Sequence, residues 1–152
     1  MKFVKSDDLK LGMRLAKPIY NRDGVMLYER NSKLTRQGIV SIQNFGLIGV
    51  YILEPAEPVP PMSSDDIEFE RFQAMAIFTI REILDAVTKQ QEAKGMYQFA
   101  NQIIRRYGSL NHKISFVQNL RSNEDYVYKH SLNTAILCAL ISHRMDLEFK
   151  QQ

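Results

Sequence analysis

The chain has 152 residues, of which 45% are hydrophobic and 24% charged, so it has a globular composition and is long enough for one domain or two small ones. Its net charge of +3 is modest, and no basic run is interleaved with aromatics, which argues against nucleic-acid binding. The single cysteine, Cys138, excludes a disulfide within the chain, and the longest apolar run, residues 135–141, is far shorter than the roughly 20 residues of a membrane span. Because Asp7 and Asp8 stand where a signal peptide is apolar, we expect a cytoplasmic protein.

The first 54 residues predict a small β-β-α-β module. Met13–Tyr20 and Val25–Tyr28 have the composition of two strands, and Gly24 between them supplies the positive φ of a tight hairpin turn. Phe3 and Val4 predict a short additional edge strand.

A helix and a last strand complete this module. Thr35 is a suitable N-cap, and Gly46 suits the left-handed residue that ends a helix. Val50–Leu53 then predicts a strand. Since the module has no histidine, no cysteine and no glycine-rich phosphate loop, its sequence favours a structural or regulatory role over a catalytic one.

Residues 55–62 are rich in proline and predict a semi-rigid spacer before a helical region at 63–152. Asp65 and Glu68 have the spacing of a capping box at the start of the first long helix. Apolar residues then recur at steps of three and four over about five turns, as expected of an amphipathic helix. They are Phe69, Phe72, Ala76, Ile80, Ile83 and Val87.

Three more helices follow in the predicted order. The first runs from about Ala93 to Tyr107, and a shorter one carries Ile114, Val117 and Leu120. The last, residues 125–147, has an almost uninterrupted apolar body at 132–141, which predicts that protein surrounds it on most sides and that Cys138 is a small buried residue.

The three histidines are the candidate site residues. His130 and His143 lie about 220° apart around the last helix, so they cannot bind one metal from one helix face. His143 suits a helix C-terminus and His112 a solvated helix start, whereas His130 is either a structural residue or a ligand. No Ser-His-Asp, Cys-His or metal-type spacing occurs in the chain, so spacing alone identifies no chemistry.

Two segments resemble HD-GYP proteins, a branch of the HD phosphohydrolases. The segment NEDYVYKHSLNTAILCALI, residues 123–141, resembles the helix that introduces their first metal-binding histidine. Residues 8–53 resemble the small domain that precedes many of these enzymes, with the pattern L-x-x-G-M-x-L-A-x-x-I-Y beginning at Leu9.

The resemblance implies a metal-dependent cyclic di-GMP phosphodiesterase. Such enzymes hold two or three metal ions, usually iron or manganese, which activate a water to attack the phosphodiester. Only His130 maps onto their ligand set, and Tyr126 stands where some members place an acid for a third metal. The chain contains neither a His-Asp pair nor a Gly-Tyr-Pro sequence. The resemblance therefore implies an N-terminal portion that stops before these motifs, is inactive and holds no cofactor of its own.

These observations predict an α+β fold, with a module at 1–54, a linker at 55–62 and an incomplete HD-type helical domain at 63–152. The expected function is the regulatory N-terminal part of the phosphodiesterase, with a cyclic dinucleotide as substrate of the complete protein. The alternative is a non-catalytic signalling or dimerisation module. Because the apolar last helix needs cover, we also expect a homodimer, formed either by simple contact or by helix exchange.

Overall fold

The computed structural model describes residues 1–111 and 124–149, and it confirms the α+β fold class. The described residues form two compact units, one of residues 1–75 with 124–126 and the other of residues 76–111 with 127–149. The domain boundaries predicted from the sequence stay predictions. No described helix is both long enough and apolar enough to cross a membrane.

The first unit contains two small antiparallel sheets. β1 (Lys2–Lys5) and β2 (Arg14–Leu15) flank β5 (Gly49–Leu53), while β3 (Ile19–Tyr20) pairs with β4 (Met26–Tyr28). The predicted strand at 13–20 is therefore wrong as one element, because it is divided between the two sheets. The interruption contains Pro18, which has no backbone N–H to donate to a sheet.

β5 is the central strand and is buried on both faces. Val50 and Ile52 belong to a core with Leu15, Ile19 and other apolar residues of the unit. On the opposite face, Tyr51 and Leu53 pack with Ala16 and with Met1, Phe3 and Val59. Two apolar faces explain why this strand is a continuous run of β-branched, aromatic and aliphatic residues.

α1 (Arg36–Asn44) begins and ends as its sequence predicts. The Thr35 side chain accepts a hydrogen bond from the Gly38 N–H at 3.0 Å. Gly46 follows the helix with a φ of 70° and donates its N–H to the Gln43 carbonyl at 2.9 Å. Both predictions are confirmed.

The proline-rich segment is bound to the first unit instead of crossing solvent as a bare spacer. Arg30 donates to the Pro60 carbonyl at 2.8 Å, and Arg14 donates to the Glu57 carbonyl. Val59 packs against the outer face of β5. Because proline carbonyls remain good acceptors while proline nitrogens cannot donate, arginine side chains are suitable partners for such a segment.

α2 (Ser64–Thr88) starts with a different capping box from the predicted one. The Asp66 carboxylate accepts from the Ser63 N–H at 3.0 Å and from its hydroxyl at 2.8 Å, while the Asp66 N–H donates to the Ser63 hydroxyl at 3.1 Å. A serine hydroxyl both donates and accepts, so Ser63 and Asp66 satisfy each other reciprocally in place of Asp65 and Glu68.

The second unit is helical. It contains α2 from residue 76 onward, α3 (Met96–Tyr107) and most of α4 (Tyr126–Arg144). The predicted short helix with Ile114, Val117 and Leu120 lies outside the described residues. The buried apolar residues of this unit are Ala76, Ile80, Ile103, Tyr107, Leu132, Ile136 and Ala139.

Candidate functional site

His130 lies in the second turn of α4, and its side chain is exposed. Lys129, which precedes it, and Asn133, three residues later, are buried. The imidazole therefore belongs to the outward face of α4, where it can be reached by a ligand or by another protein surface.

The other two histidines do not join His130. His143 is in the last turn of α4 and lines a separate recess of about 600 Å³ with Arg105 and Phe149, whose ring lies 5.2 Å from the guanidinium. His112 lies outside the described residues. This placement agrees with the conclusion from helix geometry that His130 and His143 cannot bind the same metal ion.

The described residues around His130 do not by themselves form a metal centre. Within residues 1–111 and 124–149, no three His, Cys, Asp or Glu side chains form a group that could hold an ion. A catalytic metal of the kind implied by the resemblance needs several protein ligands, and one imidazole does not hold it.

His130 lies on an exposed face of α4 that also carries apolar side chains. The prediction that protein surrounds α4 on most sides is wrong for one face, and Cys138 is exposed on its edge, not buried. We call this face the α4 seam. Its members are exposed and alternate at steps of three and four: Val127, His130, Thr134, Leu137, Ile141 and Arg144.

The spacing of the seam is a signal that could have revealed it. Val127, Thr134 and Ile141 are seven residues apart, as are His130, Leu137 and Arg144. These two series correspond to the a and d positions of a heptad, and on one helix they occupy an arc of about 100°. Continuous hydrophobicity at 135–141 conceals this period, because the buried face of the same helix is apolar too.

A second apolar feature adjoins the seam within the helical unit. α2, α3 and α4 line a cavity of about 430 Å³, and among the described residues its walls include Ile80, Ile103 and Leu132 and no charged side chain. Ser131 and Cys138 of α4 also line it, and both are exposed. Apart from the Ser131 hydroxyl and the Cys138 thiol, the side chains that line this cavity in the described part of the chain are apolar.

One buried polar side chain close to His130 has no hydrogen-bond partner among the described residues. Both side-chain atoms of the Asn133 amide are buried without such a partner. A buried amide left unsatisfied costs about 1–3 kcal/mol. It lies three residues after His130 on the buried part of this turn of α4, where Leu132 is its apolar neighbour.

In the first unit, an electrostatic cluster around Lys17 is structural in kind. The Lys17 ammonium pairs with the Glu70 carboxylate and lies 4.9 Å from the centre of the Tyr51 ring. Burial raises the pKa of the nearby Tyr20 phenol; Arg71 opposes this rise and Glu70 adds to it. A phenol kept protonated beside a fixed ion pair is not an activated nucleophile.

No family model, curated protein or solved structure matches the chain.

Proposed function

We propose that the chain is the regulatory N-terminal part of a cytoplasmic, metal-dependent cyclic di-GMP phosphodiesterase of the HD-GYP kind, active in bacterial signalling only when the domain is completed. The proposal rests on the position of His130. It is exposed near the N-terminal end of α4, on the same helix face as the exposed apolar residues Leu137 and Ile141. A ligand-type side chain beside apolar surface suits one wall of a pocket that other helices close.

We also expect the chain to be inactive by itself. His130 supplies one ligand, and the described residues offer no cluster that adds two more. Iron or manganese ions and their remaining ligands belong to the completed domain, as does the surface that binds the cyclic dinucleotide.

The regulatory role rests on how the N-terminal module contacts the first turns of α2. Lys17 pairs with Glu70, and a Cβ on Gly24 would lie 2.6 Å from the Met75 sulfur, so the β3–β4 turn packs tightly on the helix. The proline-rich segment is held by Arg14 and Arg30. A change in the module is therefore transmitted to the start of α2 through direct contacts.

Fragment complementation tests this proposal. The chain is mixed with the remainder of an HD-GYP domain that lacks its first metal-binding helix, and hydrolysis of cyclic di-GMP is measured with added manganese or iron. We expect activity that is lost with His130→Ala and kept with His143→Ala, which removes an imidazole from another surface of the same helix. Activity that survives His130→Ala, or none with any complementary fragment, contradicts the proposal.

The reading frame after Gln152 provides a second test. A His-Asp pair followed by a Gly-Tyr-Pro sequence supports the phosphodiesterase, because HD-GYP proteins contain these two motifs and the chain as given does not. An immediate stop codon favours the alternative function.

That alternative is a non-catalytic signalling or dimerisation module, in which the chain forms a homodimer by simple contact or helix exchange. The exposed apolar side chains of the α4 seam favour it, since apolar surface gains about 25 cal/mol for each Å² removed from water. Sedimentation at micromolar concentration tests it, and a monomer at every concentration contradicts it.

A further inference from the structure

We propose that the recess at the C-terminal ends of α3 and α4 binds a phosphate-bearing small molecule. Its volume is about 600 Å³, and its wall is formed by Ile104, Arg105, Ser109, His143 and Phe149. All of these residues belong to the helical unit. The proposal is independent of the phosphodiesterase, because it involves neither His130 nor a metal ion.

Two helix ends bring the polar side chains of this recess together. Arg105 lies in the last turn of α3, and Ser109 follows four residues later. His143 lies in the last turn of α4, and Phe149 follows in the segment after that helix. Each helix thus supplies one basic side chain, and the residues after each helix supply a second group.

The polar groups in the wall are suited to an oxyanion. A guanidinium has N–H donors and no acceptor, an imidazole has at least one N–H donor, and a serine hydroxyl also donates. In the described part of the chain, no carboxylate lines the recess. A phosphate monoester presents three acceptor oxygens, so it can accept from Arg105, Ser109 and His143 at once.

Arg105 is held in place while its hydrogen-bond donors stay available. Its guanidinium lies over the Phe149 ring, 5.2 Å from the ring centre. The ring has no lone pair for the N–H groups, so they can still donate to an anion. Within residues 1–111 and 124–149, neither Arg105 nor His143 takes part in an ion pair.

The size of the recess indicates a ligand larger than inorganic phosphate. A volume of about 600 Å³ lies within the range of about 300–1,000 Å³ that is typical of small-molecule sites. Ile104 and Phe149 add apolar surface beside the donors. Because a bare phosphate ion cannot use that surface, we expect a phosphorylated molecule with an aromatic or apolar part to bind more tightly.

The helix dipoles give the same basic residues a second role that the experiment has to separate from binding. A cation in the last turn stabilises a helix, and Arg106 and Arg144 occupy the same turns as Arg105 and His143. Arg106 and Arg144 do not line the recess. Arg144 is therefore a matched control, since it carries the charge of Arg105 and is adjacent to His143.

Calorimetric titration of the full chain tests the class of ligand. The probes are adenosine 5′-monophosphate, inorganic phosphate and adenosine. We expect saturable binding of the monophosphate, at least tenfold tighter than that of inorganic phosphate, and no binding of adenosine. Equal affinities for the two phosphates, or equal affinities for the monophosphate and adenosine, would overturn the assigned ligand. If neither phosphate binds saturably, the site itself is disproved.

Substitutions test the location of the site in variants whose circular dichroism matches the wild type. We expect Arg105→Gln to weaken monophosphate binding at least tenfold and Arg144→Gln to change it less than twofold. Arg105→Lys keeps the charge without the planar fork, so its affinity should lie between those of the wild type and Arg105→Gln. Equal losses for Arg105→Gln and Arg144→Gln, or wild-type affinity in Arg105→Lys, would show a general charge effect and overturn the inference.

Discussion

Lys17 and Glu70 form an ion pair between side chains that are 53 residues apart in sequence and only 12% and 15% exposed. The pair joins the segment between β2 and β3 to the second turn of α2. The Tyr51 ring lies beside the ammonium, so an apolar wall partly shields the charges from water. This contact makes the beginning of α2 a part of the first unit.

Lys17→Met is expected to destabilise the first unit by about 2 kcal/mol, because it leaves the Glu70 carboxylate in a largely buried place without its cation. Urea unfolding followed by circular dichroism measures the change. Glu70→Met is expected to have a similar effect for the converse reason.

The double variant Lys17→Met/Glu70→Met serves as the control for this pair. It removes both charges and retains apolar volume, so it is expected to be more stable than either single variant. Additive losses in the double variant would show that the two side chains stabilise the unit independently.

Gly24→Ala is expected to destabilise the first unit by about 2 kcal/mol or more. Gly24 has a φ of 74°, which costs an alanine about 1–2 kcal/mol, and the new Cβ would lie 2.6 Å from the Met75 sulfur and 2.9 Å from the Arg71 Nε. Thermal unfolding of the variant and the wild type measures the loss.

Gly46→Ala isolates the backbone part of that loss. Gly46 has nearly the same φ of 70°, but a Cβ there meets no atom within 4 Å. We expect a loss of only about 1 kcal/mol. Equal losses at the two positions would disprove the close packing of the β3–β4 turn on α2.

The parts of the fold that the sequence predicts are those determined by neighbouring residues. The Thr35 cap and the Gly46 stop involve groups within four residues, so α1 was predictable with both ends. The division of the 13–20 strand depends on pairing with β5 and β4, which are distant in sequence. The binding of the proline-rich segment by Arg14 and Arg30 is equally non-local.

The candidate site shows the same limit in another form. The sequence separated His130 from His143, because this conclusion needs only the geometry of one helix. His130 as a metal ligand rests on the resemblance and stays a prediction. Whether Leu137, Cys138 and Ile141 are covered depends on which other segments pack on α4. An all-apolar run such as 135–141 does not show which of its residues are covered. The prediction that Cys138 is buried was therefore wrong.

Metal analysis of the purified chain is expected to find well below one equivalent of iron or manganese after dialysis. His130 is exposed and is one ligand, and no described group of three supports it. His130→Ala and His143→Ala are each expected to change the free energy of unfolding by no more than about 0.5 kcal/mol. A stoichiometric ion that His130→Ala removes would contradict these expectations and reveal ligands beyond those described.

Asp66→Asn is expected to change how the stability of the first unit depends on pH. Hydrogen bonds from the Ser63 N–H and hydroxyl hold the pKa of Asp66 below its ordinary value of 3.8. A lowered folded-state pKa stabilises the fold above the unfolded pKa, and this contribution is lost as pH falls through the folded pKa. The stability advantage of the wild type over Asp66→Asn should therefore shrink between pH 5 and pH 3.

Urea unfolding at each pH measures that advantage, which is expected to be a fraction of a kcal/mol because Asp66 is largely solvated. Asp65→Asn removes the same charge from the same helical turn and controls for the general effect of a negative charge near a helix N-terminus. Ser63→Ala takes away the hydroxyl of the capping box and should reduce the pH dependence that Asp66 provides. The contrary result is an advantage over Asp66→Asn that stays constant down to pH 3 while the advantage over Asp65→Asn changes. That result would show that the helix dipole, and not the Ser63–Asp66 capping box, causes the pH dependence of stability.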